Sequence, residues 1–103
     1  MSFEELQQRI IQWAMDRQII QNSTAMAQSI KTHEELGELI SALYRNDLDE
    51  TIDAYGDVLV TIIISAHLAN VDLLGCLSVA YDAIKDRKGT LRADGVFVKE
   101  ADR

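Results

Sequence analysis

His33-Glu34-Glu35-Leu36-Gly37-Glu38-Leu39 and, further along the chain, Asp53-Ala54-Tyr55-Gly56-Asp57-Val58-Leu59 are the two stretches whose reading decides the fold. In both, carboxylates and apolar residues recur at the three- and four-residue spacing of a helix rather than the two-residue spacing of a strand. On the first helix Glu34, Glu35 and Glu38 share one arc, while Leu36, Leu39, Ile40 and Leu43 take the opposite one. On the second, Glu50, Asp53 and Asp57 group away from Ile52, Tyr55, Leu59, Ile62 and Ala66. If the apolar arcs meet, the acidic ones converge at the edge of the contact. Like charges at that spacing repel, and partial burial weakens their solvation. A bound divalent cation is the natural remedy.

Working outward, Ser2 and Glu5 have the spacing of a capping box. Phe3, Leu6, Ile10, Ile11, Trp13 and Ala14 then predict a first helix to about Ile19 or Ile20. Gln21 to Thr24 breaks it, with Ser23 or Thr24 as cap for a second helix running to Tyr44. Gly37, inside that helix, marks a close helix approach. Arg45 to Asp49 is a short polar connection in which Asp47 or Asp49 caps a third helix, Leu48 to Ala69. From Val58 this helix is apolar on nearly all faces and must be covered on all sides. In so short a chain that predicts a second subunit. Asn70 and Asp72 mark a turn, with Asp72 capping a fourth helix that ends near Lys88, where Gly89 stands as its C-terminal cap. Lys85, Arg87 and Lys88 crowd its last turn, favourable against the helix dipole. The tail, Thr90 to Arg103, forms an extended arm or a short hairpin. The fold class is thus all-α: a four-helix unit forming an oligomeric bundle, with residues 1–103 as one domain and a short extended tail.

Composition narrows the function. With 48% hydrophobic residues the chain is globular, and a formal charge of −7 argues against a broad basic surface for nucleic acid. A single cysteine, Cys76, makes no internal disulfide, and no signal-peptide pattern opens the chain, so a cytoplasmic location is expected. The most apolar run, Val58 to Val71, is short of the roughly 20 residues that span a bilayer, so no membrane partner is expected. The acidic set of Glu34, Glu35, Glu38, Glu50, Asp53 and Asp57 supplies only oxygen donors, which suit a hard cation such as Mg²⁺ better than Zn²⁺.

Four blocks carry a resemblance: Lys31-Thr32-His33-Glu34-Glu35-Leu36-Gly37-Glu38-Leu39, Asp53-Ala54-Tyr55-Gly56-Asp57-Val58-Leu59-Val60, Tyr81 to Gly89, and Asp94-Gly95-Val96-Phe97-Val98-Lys99-Glu100. In this order they resemble the short MazG-like proteins of the all-α nucleoside triphosphate pyrophosphatase superfamily, from about Trp13 onward. The resemblance implies Mg²⁺-dependent hydrolysis, with Mn²⁺ as a substitute ion, of a nucleoside or deoxynucleoside triphosphate to monophosphate and pyrophosphate. A house-cleaning role and a homodimer or homotetramer are implied with it. Of the family pattern EExxE and ExxD, Glu35, Glu38 and Asp57 carry over as metal ligands. The glutamate expected three residues before Asp57 falls at Ala54, so Asp53, one turn before Asp57, is the substitute ligand. Glu34, with Glu35 and Glu38, belongs to the catalytic motif and would activate or orient the attacking water.

Positive charge for the phosphates would come from Lys31, Lys85, Arg87, Lys88 and Lys99, with Arg87 foremost because a guanidinium matches phosphate oxygens. The competing reading is an ion pair within the helix for Lys31 and dipole complementarity for the others. Trp13 either stacks on the base or belongs to the core. His33 and His67 are read as structural or surface residues, Cys76 as a buried small hydrophobe, and Met15 and Met26 as packing residues. The rival function is a non-catalytic helical oligomer that binds a nucleotide or a protein partner, which the alanine at position 54 favours.

Overall fold

Helix ends in this chain are set by side chains that take over unpaired backbone groups. In the computed structural model, which describes residues 1–100, the Ser2 hydroxyl accepts from the Glu5 N–H and opens α1 (Phe3–Asp16). Thr24, rather than Ser23, caps α3 (Ala25–Tyr44) by accepting from the Ala27 N–H, and Asp47 caps α4 (Leu48–Leu68) by accepting from the Glu50 N–H. The far ends close on asparagine. Asn46 and Asn70 adopt left-handed φ of 56° and 59°, and the residue after each donates back to Ala42 and Ala66 respectively. That pair of bonds is the Schellman arrangement, which asparagine tolerates better than most residues.

The first helix is shorter than its periodicity predicts. It stops at Asp16, Gln18 turns left-handed at φ 65°, and a separate short helix, α2 (Ile19–Asn22), follows. Local hydrogen bonding wins here, because the Gln18 N–H bonds to the Met15 carbonyl and Asn22 Nδ2 donates to the Gln18 carbonyl.

Two compact units make up the chain, one from Met1 to Leu73 and one from Leu74 onward. The first is dominated by the antiparallel pair α3 and α4, with α1 packed on α4 so that Ile11 and Ala14 are buried. The α3–α4 seam can be followed rung by rung. Ser29 Oγ lies 2.9 Å from Ser65 Oγ, Thr32 Oγ1 donates to Thr61 Oγ1 at 2.8 Å, and Leu39 and Ala42 are buried on α3, as is Ala54 on α4. Small residues at these positions let the two backbones approach closely.

This seam matches the expected apolar arcs only in part, at Leu39. Leu36, Ile40 and Leu43 are exposed, as are Ile52, Tyr55 and Leu59, with Ile40 and Ile52 at 60% and 63%. Leu39, Ile63 and Ile64 are buried, but otherwise the pair turns small and hydroxyl-bearing residues inward and leaves most of its larger apolar side chains outside. Gly37 is no point of close approach within the described residues, since a Cβ there would meet nothing within 4 Å. By length and hydropathy α4 alone would suffice to cross a bilayer, because the helix begins well before the apolar run at Val58.

The second unit holds α5 (Leu73–Ile84) and an antiparallel hairpin of β1 (Gly89–Leu91) and β2 (Phe97–Lys99). Thus α5 ends before the basic cluster, and Lys85, Arg87 and Lys88 follow it rather than forming its last turn. Gly89 is a strand residue paired with Lys99, not a helix cap. A Cβ on it would lie 2.2 Å from the Val98 carbonyl oxygen and 2.6 Å from the Phe97 ring, so only glycine fits. Of the tail's two alternatives the hairpin forms, closed by Gly95 at φ 88°, while residues 101–103 lie outside the described residues.

Candidate active site

Between the Thr32–Thr61 rung and the Leu39 and Ala54 rung, the seam carries charge instead of hydroxyls. Glu35 is the residue that sequence reasoning misplaced: it sits on the packed face of α3, only 8% exposed, rather than on an outer acidic arc. It follows Thr32 by three positions and precedes Leu39 by four, both of which face α4, so helix geometry carries it inward. Its Oε1 is 3.4 Å from Lys31 Nζ, whereas Oε2 is buried with no hydrogen-bond partner among the described residues. An orphaned carboxylate oxygen in such a place is costly unless a cation or donor completes it.

Glu38 and Asp57 interact with it, and Asp53 interacts with Asp57 in turn. The neighbouring Glu35 carboxyl pushes Glu38 above the ordinary carboxylate range, with partial desolvation and Asp57 adding to the effect. Asp57 is also raised, first by its own desolvation and then by the charges of Asp53 and Glu35. Glu35, Glu38, Asp53 and Asp57 therefore feel one another across the two helices. The nearby ammonium of Lys31 opposes the rise at both Glu38 and Asp57. Glu34 points outward, exposed, and its Oε2 takes the Lys31 ammonium at 3.2 Å. Lys31 thus forms the pair within the helix, spanning Glu34 and Glu35 together, and these contacts raise its own pKa.

A cleft of about 300 Å³ opens beside the acids, lined by Glu38, Ser41, Arg45, Glu50, Asp53 and Ala54. Arg45 is a residue that sequence reasoning missed. The available signal was helical spacing, since Glu38, Ser41 and Arg45 fall on one face of α3. Its guanidinium reaches Asp47 at 3.4 Å and stays half-exposed at the rim. Ala54 is buried, and Asp53, exposed beside it, is one of the two carboxylates that act on Asp57.

Trp13, His33 and His67 of the first unit do not line this cleft. Trp13 is 44% exposed rather than core, with the Arg17 guanidinium 5.4 Å from its ring centroid. Cys76 is exposed, not buried, and so is Met26. His33 and His67 are surface residues. In the second unit, Lys85 pairs with Asp82 at 3.4 Å, and Arg87 and Lys88 are exposed in the connection to β1.

The donor set fits a hard divalent ion in kind: it is all oxygen, it carries mutually raised carboxylates, and it includes one orphaned buried oxygen. Among the described residues, no group of three or more His, Cys, Asp or Glu side chains is placed to hold a metal ion.

The class in question is the MazG-like all-α pyrophosphohydrolase superfamily, to which the family whose model matches this chain belongs. The chain belongs to the phosphoribosyl-ATP pyrophosphohydrolase family, whose model matches residues 3–83. It is also 39% identical over 69 residues to an uncharacterized 18.2 kDa protein in the rep-hol intergenic region of Haemophilus phage HP1. That match covers 67% of this chain and 42% of the phage protein, so the chain spans about two fifths of the relative's length. No solved structure matches the chain.

Proposed function

We propose that the chain hydrolyses a nucleoside or deoxynucleoside triphosphate to the monophosphate and pyrophosphate, using Mg²⁺ held by Glu35, Glu38, Asp53 and Asp57. The observation that carries this is Glu35, buried in the seam with an unpartnered oxygen and in electrostatic reach of the Glu38 and Asp57 carboxylates. Mg²⁺ bound there would neutralise charge on phosphoryl oxygens and make a coordinated water more acidic. The chain's own residues do the rest. Glu34, exposed and held by Lys31, orients the water that attacks the α-phosphorus and receives its proton. The bond between the α-phosphorus and the bridging oxygen breaks, and pyrophosphate leaves. Arg45 at the rim of the cleft meets phosphate oxygens bidentately, a role for which its fork of donors is suited. Trp13, Lys85, Arg87 and Lys88 remain candidate substrate contacts, carried by the resemblance.

Asp53 takes the place of the glutamate missing at position 54. Its influence on Asp57 and its position beside Glu38 in the cleft support the substitution. A substituted substrate, phosphoribosyl-ATP, is the second candidate, favoured by the family match. A homodimer or homotetramer is part of the proposal. Leu36, Ile40, Ile52, Tyr55 and Leu59 are exposed on the α3–α4 pair, an apolar surface that a second subunit would cover.

Pyrophosphate release from a panel of triphosphates and phosphoribosyl-ATP, with Mg²⁺ and with chelator, tests the activity. Metal-dependent release from at least one is expected, and none from any of them sinks the enzyme in favour of a non-catalytic nucleotide- or partner-binding oligomer. Light scattering is expected to give a dimer or tetramer, and a stable folded monomer refutes the assembly.

A further inference from the structure

Of the six residues lining the cleft beside the acids, three are carboxylates, Glu38, Glu50 and Asp53, and Arg45 is the cation among them. Long side chains on a helix lean back toward its N-terminus, which for Arg45, at the C-terminal cap of α3, is the direction of Ser41 and Glu38. The ion pair lies the other way. Arg45 Nη1 donates at 3.4 Å to Oδ2 of Asp47, a residue that does not line the cleft. Among the described residues the guanidinium makes no ion pair with Glu38, Glu50 or Asp53.

Asp47 is itself held from several sides. Its N–H donates to the Ala42 carbonyl at 3.1 Å, and its carbonyl accepts from the Thr51 N–H at 2.9 Å and from Thr51 Oγ1 at 2.7 Å. These bonds fix the backbone on which the carboxylate stands. The two carboxylate oxygens are divided: Oδ1 accepts from the Glu50 N–H at 3.1 Å to cap α4, and Oδ2 takes Arg45. On the guanidinium the pair engages Nη1 and leaves the edge formed by Nε and Nη2, which matches two phosphate oxygens side by side.

We infer that Asp47 is a positioning residue: it tethers Arg45 at the rim of the cleft, so that the guanidinium does not fall back onto Glu38, Glu50 and Asp53 and instead turns its open edge to a phosphate group. The inference rests on the phosphate role proposed for Arg45. Capping α4 does not by itself require a charge at position 47, since asparagine and serine cap as well as aspartate. An exposed ion pair also adds little to stability. What the charge at 47 changes is where Arg45 stands.

Calorimetric titration of the full chain with inorganic pyrophosphate in the presence of Mg²⁺ tests this without turnover. Asp47→Asn and Asp47→Ser keep an acceptor for the Glu50 N–H and remove the charge that holds Arg45. Each is expected to weaken pyrophosphate binding about threefold, the worth of an exposed ion pair, with the urea midpoint unchanged. Loss of a negative charge beside an anion would by itself tighten binding, so the expected change has the opposite sign to a bulk charge effect. In an Arg45→Ala background the same substitutions are expected to weaken binding no further. Unchanged or tighter binding, a loss of equal size in both backgrounds, or a urea midpoint that falls together with the affinity each overturn the tether. Absence of pyrophosphate binding by the unmodified chain overturns it too, while release from the triphosphate panel still decides the hydrolysis. The expected pattern without release from any triphosphate keeps the tether and removes the hydrolysis.

Discussion

The two halves of the α3–α4 seam share one backbone geometry and differ in how their polar groups are satisfied. Toward the start of α3, Ser29, Thr32, Thr61 and Ser65 pair with one another and with main-chain carbonyls. Toward its middle, Glu35, Glu38, Asp53 and Asp57 meet mainly their own kind, with Lys31 as the opposing charge. The first half closes its hydrogen bonds internally and stabilises the hairpin. The second holds electrostatic strain that folding alone does not relieve, and a protein retains such strain where a ligand removes it.

The comparison breaks most visibly at the carboxylates. Asp57→Asn and Glu38→Gln should each lower turnover about a hundredfold or more while the helical circular dichroism stays intact. Full activity in either variant removes that residue from the ligand set. Asp53→Ala should come close to Asp57→Asn, at least about tenfold down. A mild effect means that the chain manages without a substitute for the glutamate absent at position 54.

On the hydroxyl side the expected loss is of stability rather than rate. Thr61→Val keeps the shape of a side chain that is 7% exposed but removes the acceptor for Thr32 and the bond to the Val58 carbonyl, which should cost about 1 kcal/mol in urea unfolding. An unchanged midpoint would mean that the rung contributes nothing net.

The smallest effect is one of pH. Glu38 and Asp57 have raised pKa values in the folded chain, so the folded state takes up their protons before the unfolded state does. Metal-free protein should therefore gain thermal stability as the pH falls from neutral toward the ordinary carboxylate range. Asp94, lowered by its pair with Arg92, opposes this only at lower pH, where that pair is lost. Mg²⁺ should raise the melting temperature at neutral pH and flatten the dependence. A metal-free melting temperature that falls steadily over the same interval would show that the four acids do not strain one another.

By itself the amino-acid sequence determined the helical class and the cap at Ser2, narrowed two other caps to Ser23 or Thr24 and Asp47 or Asp49, and grouped Glu34, Glu35, Glu38, Glu50, Asp53 and Asp57 on acidic arcs, because capping and helical periodicity are local properties. It did not determine which arc of each helix turns inward. Hydrophobicity favoured Leu36, Leu39, Ile40 and Tyr55, yet of these only Leu39 is buried, and the seam closes with it on Ser29, Thr32, Ala42, Ala54 and Thr61, because close approach of two backbones needs small side chains and matched hydroxyls. Only the tertiary structure could therefore bury Glu35, leave one of its oxygens without a partner, and bring Arg45 to the cleft. It likewise ended α5 before the basic cluster and made Gly89 a strand residue, since the strand that excludes a side chain there comes from a partner several residues further along the chain.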